Sequence, residues 1–206
     1  MKKFIKTILI LATFAFIFQS IYGQNKLPEI YLNHIYIVLD SGTLSHLSDS
    51  SFISNKYGNI KVSSATTAKE SWSGIYLSGK NSYFEFFSTK GYKGATLGDC
   101  GLVFMTVQSN KIWDIKRNWR KNSNDSIVTD TIMKMQNGIP NPWLYNLNLL
   151  NNDSLQPFST MLMENTPEEL SAVGFSDEEI KNGINWSTYS NKRTRSEEHT
   201  SELQSR

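Results

Sequence analysis

The chain holds a single cysteine, Cys100, in 206 residues. No intramolecular disulfide can form, so even in an oxidising compartment the fold must be held by its core. No paired CxxC, no phosphate-cradling glycine loop and no Ser-His-Asp arrangement is present, which sets aside the chemistries those patterns serve. Long apolar runs are lacking as well. The stretch from Ile8 to Phe18 is too short to cross a bilayer comfortably. Histidine is scarce, at three residues: His34, His46 and His199.

Both ends stand apart from the rest. Lys2, Lys3 and Lys6 precede the Ile8 to Phe18 stretch, and Gln19-Ser20-Ile21-Tyr22-Gly23 follows it. A basic start, an apolar core and small residues before a cut describe a secretory signal peptide over residues 1–23. Cleavage after Gly23 leaves Gln24 first, with no cysteine nearby for a lipid anchor, so the expected product is secreted or periplasmic with no stable membrane anchor. At the other end, Arg195-Ser196-Glu197-Glu198-His199-Thr200-Ser201-Glu202-Leu203-Gln204-Ser205 reads as the conceptual translation of a sequencing adapter. On that reading residues 195–206 are foreign, His199 has no role and the natural chain is truncated near Thr194. Net charge of one sign then vanishes too. Taking three leader lysines and two tail arginines from 21 basic residues, and three tail glutamates from 19 acidic ones, leaves 16 of each. With 16 of each sign there is no basic stripe to suggest nucleic acid or an anionic membrane. The roughly 170 residues between the two ends suffice for one domain with its own core.

What is present is a pair of strand-like segments, each with one metal-competent side chain at its centre. They are Leu32-Asn33-His34-Ile35-Tyr36-Ile37-Val38-Leu39 and Ser82-Tyr83-Phe84-Glu85-Phe86-Phe87. A carboxylate inside a core strand costs several kcal/mol or more unless it is paired, hydrogen-bonded or bound to a cation, and His34 is a natural partner for Glu85. A core histidine bonded to a backbone carbonyl or to Glu85 satisfies the same pattern. A one-residue register shift would turn Glu85 outward.

Element order repeats. Ile30 to Leu39 reads as a strand. Asp40 or Ser41 caps a short helix with Leu44, Leu47, Phe52 and Ile53 on its inner side. Ile60 to Thr67, Trp72 to Leu77 and Asn81 to Phe87 read as strands, the last two joined by a turn at Ser78-Gly79-Lys80. Gly101 to Val107 then reads as a strand, and Ile112, Trp113, Ile115, Lys116 and Trp119 have helical spacing. Ile127 to Met135, Trp143 to Leu149 and Phe158 to Glu164 follow as strands, with Pro140 and Pro142 bracketing a loop. Pro167-Glu168-Glu169-Leu170 and Ser176-Asp177-Glu178-Glu179-Ile180 look like helix starts, and Ser176 with Glu179 has the form of a capping box.

Strand, helix and three strands, twice over, with Asn33-His34-Ile35-Tyr36 on the first strand and Tyr83-Phe84-Glu85-Phe86 on the fourth, resembles the vicinal oxygen chelate superfamily of glyoxalases, bleomycin-resistance proteins and extradiol dioxygenases. The likeness is nearest to an uncharacterised secreted glyoxalase-like family with an extended C-terminus. It implies an α+β fold: two βαβββ modules, about 30–90 and 100–165, forming a curled mixed sheet around a cavity. Residues 24–165 would be that domain and 166–194 a helical extension.

The resemblance also implies a site. His34, Glu85 and Glu164 would be the metal ligands, and Glu85 or Glu164 could detach as a general base. The second first-strand ligand falls at Cys100 or Gly101, where the family usually has His, so water or Cys100 would complete the set. One histidine and two carboxylates suit Zn, Mn or Fe(II). Trp72, Tyr76, Trp143 and Tyr145 would line the cavity around a small-molecule ligand with two vicinal oxygens, unless they serve as ordinary core. His46 reads as a solvated surface residue. Modules in relatives sometimes pair between chains, which leaves a homodimer open. The implied activity is that of an exported metal-dependent lyase, isomerase or dioxygenase; a non-catalytic ligand-binding domain, or a structural domain of the same fold, fits the missing histidine.

Overall fold

The protein is described here as a computed structural model, covering residues 27–92, 94–122, 126–136, 138–150 and 158–194. The expected leader and adapter-like tail lie outside the described residues. No helix among those described is long and apolar enough to cross a membrane.

Eight strands form one sheet in the order β2-β3-β4-β1-β5-β8-β7-β6. They are β1 (Ile30–Leu39), β2 (Asn59–Thr66), β3 (Ser71–Ser78), β4 (Tyr83–Tyr92), β5 (Cys100–Thr106), β6 (Ser126–Gln136), β7 (Ile139–Leu150) and β8 (Phe158–Asn165). Within each half the first strand runs parallel to the fourth, β1 with β4 and β5 with β8, while β1 and β5 join the halves antiparallel. This is the α+β, twofold βαβββ arrangement expected above. The sheet curls until its two edges approach, where Thr67 bridges Lys134 and the Ala68 N–H donates to the Met133 carbonyl at 2.9 Å.

The halves are covered unequally on the outer face. In the second, α3 (Ile112–Asn122) lays Ile112 and Ile115 on Leu147 and Leu162, with Phe104, Trp119 and Ile127 around them. Each such burial stabilises by roughly 2 kcal/mol. In the first half the single expected helix is two short ones, α1 (Ser41–Ser48) and α2 (Ser51–Lys56), capped by Asp40 and Ser50. Neither buries a residue, and Phe52, expected inside, is 61% exposed. Ser50 supplies the reason: its side chain accepts from the Ile53 N–H and starts a new helix, so the apolar spacing is broken in two.

Pro140 and Pro142 also depart from expectation, lying inside β7 rather than in a loop. Their segment pairs with β6 only, because β8 meets β7 only from Leu144 to Asn148, so a missing N–H is tolerated there. The extension forms α4 (Pro167–Val173), α5 (Asp177–Asn182) and a third helix, α6, over 186–194. Ser176 and Glu179 make the expected capping box. Leu170, Phe175, Ile184 and Tyr189 give the extension its own small core.

Candidate functional site

His34 on β1 and Glu85 on β4 meet on the inner face of the sheet. Their facing atoms, His34 Nε2 and Glu85 Oε2, are 3.3 Å apart, and both residues are 7% exposed. The parallel register sets Tyr83 opposite His34 and Tyr36 opposite Glu85, so residues 34, 36, 83 and 85 share one face. A bulge between Leu32 and His34 makes Asn33 an extra residue. Asn33 Oδ1 lies 2.8 Å from His34 Nδ1. An amide oxygen can only accept, so the ring carries its proton on Nδ1 and presents the Nε2 lone pair to Glu85.

Burial decides the charge state. It pushes the Glu85 carboxyl up to about 7, against hydrogen bonds from Tyr76 and Trp72 that favour the anion. It pushes the His34 imidazole down to about 3. Each charged form is penalised by the same dry surroundings, so with Glu85 protonated the 3.3 Å contact is a neutral hydrogen bond, the Glu85 O–H donating to Nε2. Glu85 therefore sits with its proton balanced near neutral pH.

Aromatic rings wall the pair. Tyr83 stacks on the His34 ring with centroids 4.5 Å apart. Trp72 and Tyr76 hydrogen-bond Glu85, and Trp143 lies parallel to Trp72 at 6.1 Å from the opposite half of the sheet. The extension closes over them: Trp186 of α6 is 4.5 Å from Tyr83, Tyr189 takes a hydrogen bond from Trp143 and donates one to Glu169 at 2.8 Å, and Arg193 acts on the hydroxyls of Tyr76, Tyr83 and Tyr189. These α6 residues were not identified from the sequence, although Trp186, Tyr189 and Arg193 have the i, i+3, i+7 spacing of one helix face.

Trp143 reaches this face because of a bulge. Ile132 pairs with Leu144 and Met133 with Pro142, leaving Trp143 unpaired and re-aimed. Tyr145, two residues on, follows the ordinary alternation outward and packs on Trp113 of α3 at 5.3 Å. Of the four expected lining residues, Trp72, Tyr76 and Trp143 converge and Tyr145 does not.

Glu164 is not brought to His34 and Glu85. Leu162 and Glu164 face α3, on the other side of the sheet. The Glu164 carboxylate accepts from Thr106 Oγ1 at 2.8 Å and from the N–H groups of Asn110, Lys111 and Ile112 at 2.5, 2.9 and 2.8 Å. It closes the N-terminus of α3, where the helix dipole favours a negative charge. Burial raises its carboxyl above the ordinary value, against the pull of those four donors.

Cys100 pairs with Ile37 and Phe158 and so faces outward, one residue out of phase with Gly101. At Gly101 an added Cβ would lie 2.6 Å from Tyr36 Cε1 and 2.6 Å from the Ser159 carbonyl. The Tyr36 ring, reaching over to bond Ser159 Oγ at 2.6 Å, occupies the place of a ligand side chain there. The inner-face positions beyond it are Val103, Met161 and Met163. Among the described residues no three of His, Cys, Asp and Glu come together as a metal site. His34 and Glu85 supply two donors, and the residues around them do not fit the three-ligand ion expected from the sequence.

No curated protein matches the chain. Among solved structures, a triple mutant of 4-hydroxymandelate synthase from Streptomyces coelicolor is similar at 12% identity and a TM-score of 0.36. The likeness covers 84% of this chain and 56% of that one, so the chain spans just over half of the length of that protein. A family match begins on β1 and ends within the adapter-like stretch: the chain belongs to a family of unknown function, DUF5829, which it matches over residues 32–201.

Proposed function

We propose that this is a small-molecule-binding protein whose inner sheet face offers Glu85, poised between carboxylic acid and carboxylate near neutral pH, as the group that hydrogen-bonds its ligand and exchanges a proton with it. One observation carries this reading: Glu85 lies buried within an aromatic wall, bonded to His34, Tyr76 and Trp72, with its carboxyl pushed up to about 7. A perturbed carboxyl with a fixed neutral imidazole beside it is the arrangement of a proton-transfer site. His34 would accept the Glu85 O–H hydrogen bond at Nε2 and so orient the acid, Asn33 would hold the ring in place, and α6 would keep water out. A proton-transfer enzyme and a non-catalytic binder both use this arrangement. The leader-like start supports export, with Gln24 as the new N-terminus.

Elemental analysis of protein purified without a metal-binding tag tests the reading. The expected result is no stoichiometric Zn, Mn or Fe after reconstitution of folded protein, and the same content in His34→Ala. Near one equivalent, lost in His34→Ala, would replace this reading with a metal centre on His34 and Glu85.

A further inference from the structure

Two buried oxygens on the inner face have no hydrogen-bond partner among the described residues: Oδ1 of Asn146 and Oδ1 of Asn148. Leu147 between them is fully buried in the core beneath α3, so strand alternation turns both amides inward. Register places Asn148 in a row with Met161, Val103 and His34, and Asn146 in a row with Met163 and Met105. The asparagines thus share a face with Glu85 but stand three strands from His34, roughly 14 Å along the sheet. Valine and methionine side chains between them carry no N–H or O–H. A buried acceptor left unpaired costs stability, and such atoms in a folded protein call for an explanation.

We infer that Asn146 and Asn148 form a second subsite, which takes the primary ammonium group of a small organic ligand. An ammonium brings three donors and no acceptor, matching two oxygens that each lack a donor. Alternate residues of one strand repeat at about 6.8 Å, close enough for two flexible amides to converge on one nitrogen. The thioethers of Met161 and Met163 beside them are polarisable and accept weakly, which suits a cation's CH groups and charge. A hydroxyl would bring one donor to two oxygens. The subsite uses none of the atoms assigned to Glu85 and His34, so either assignment can fail without the other.

The test follows the side-chain amide signals of Asn146 and Asn148 and the methyl signals of Met161 and Met163 by NMR while the purified protein is titrated with methylammonium. Tetramethylammonium, equal in charge but without N–H, is the control at matched ionic strength. Saturable shifts are expected with methylammonium alone and kept in Glu85→Gln, and the shifts of the Met161 and Met163 methyls should be lost in the double variant Asn146→Leu/Asn148→Leu. No saturable shift, or an equal response to tetramethylammonium, overturns the assignment. The melting temperature of the double variant is the second reading. It should equal or exceed that of the parent, because leucine removes unpaired polar atoms. A fall of more than about 5 °C would mean the oxygens already have structural partners, and would overturn the proposal as well.

Discussion

Replacing Glu85 by glutamine is expected to make the protein lose stability steeply on acidification, although in the parent the same site gives almost no pH dependence between pH 4.5 and 6.5. Unfolded, His34 and Glu85 titrate near 6.5 and 4.5; folded, near 3 and 7. Between pH 4.5 and 6.5 the unfolded pair is imidazolium and carboxylate, and the folded pair is imidazole and carboxylic acid. Both forms bind one proton, so stability is flat there. With the carboxyl gone only the depressed imidazole remains. Its contribution is complete above 6.5 and is lost as pH falls toward 3, by up to about 4–5 kcal/mol at 1.4 kcal/mol per unit.

His34→Gln should show the opposite slope. The raised Glu85 carboxyl then acts alone: its contribution is complete below 4.5 and is lost as pH rises toward 7, by about 3 kcal/mol. Urea unfolding of the parent and both variants across pH 4 to 7.5 measures all three curves. Curves that stay parallel would mean that neither group pays a burial penalty, and the account of the dyad would be wrong.

The second large effect concerns Glu164, and it is on stability rather than ligand binding. Glu164→Ala removes the acceptor for Thr106 and for three backbone N–H groups at the start of α3. Asn110, one of those donors, has φ 62, a left-handed conformation that its bond to Glu164 helps to hold. Stranding these donors in a buried place should cost about 3–5 kcal/mol. For a chain of this size that is a drop of about 10–15 °C in melting temperature. Glu164→Gln keeps one acceptor oxygen and should lose about half as much. Both variants should still bind methylammonium at low temperature. A Glu164→Ala protein with an unchanged melting temperature would return Glu164 to the list of functional candidates.

The sequence reached the double βαβββ order and the His34–Glu85 contact for a physical reason. Strand alternation is a strong pattern, and a carboxylate within Tyr83-Phe84-Glu85-Phe86-Phe87 has to be compensated by something close. Faces were harder to read. Glu164 and Trp143 sit in strands that were correctly placed, yet Glu164 points at α3 and a one-residue bulge turns Trp143 inward while Tyr145 goes outward. Such a bulge leaves no mark in residue spacing, and it reverses the face of what precedes it. The weak covering of the first half hinged on one capping serine, Ser50. Closure of the site by Trp186 and Tyr189 depends on how three short helices fold back, which local pattern does not specify.

The central claim is that between about pH 3 and 7 Glu85 is a neutral acid beside a neutral imidazole. A titration of protein labelled with 13C at the glutamate carboxyls, with Glu85→Gln to assign the signal and His34 ring nitrogens followed in parallel, measures it directly. The account predicts a Glu85 carboxyl that titrates near 7, with His34 neutral down to about pH 3. A Glu85 signal that titrates below 4.5, with His34 protonated at neutral pH, would make the pair an ordinary buried ion pair and contradict the account.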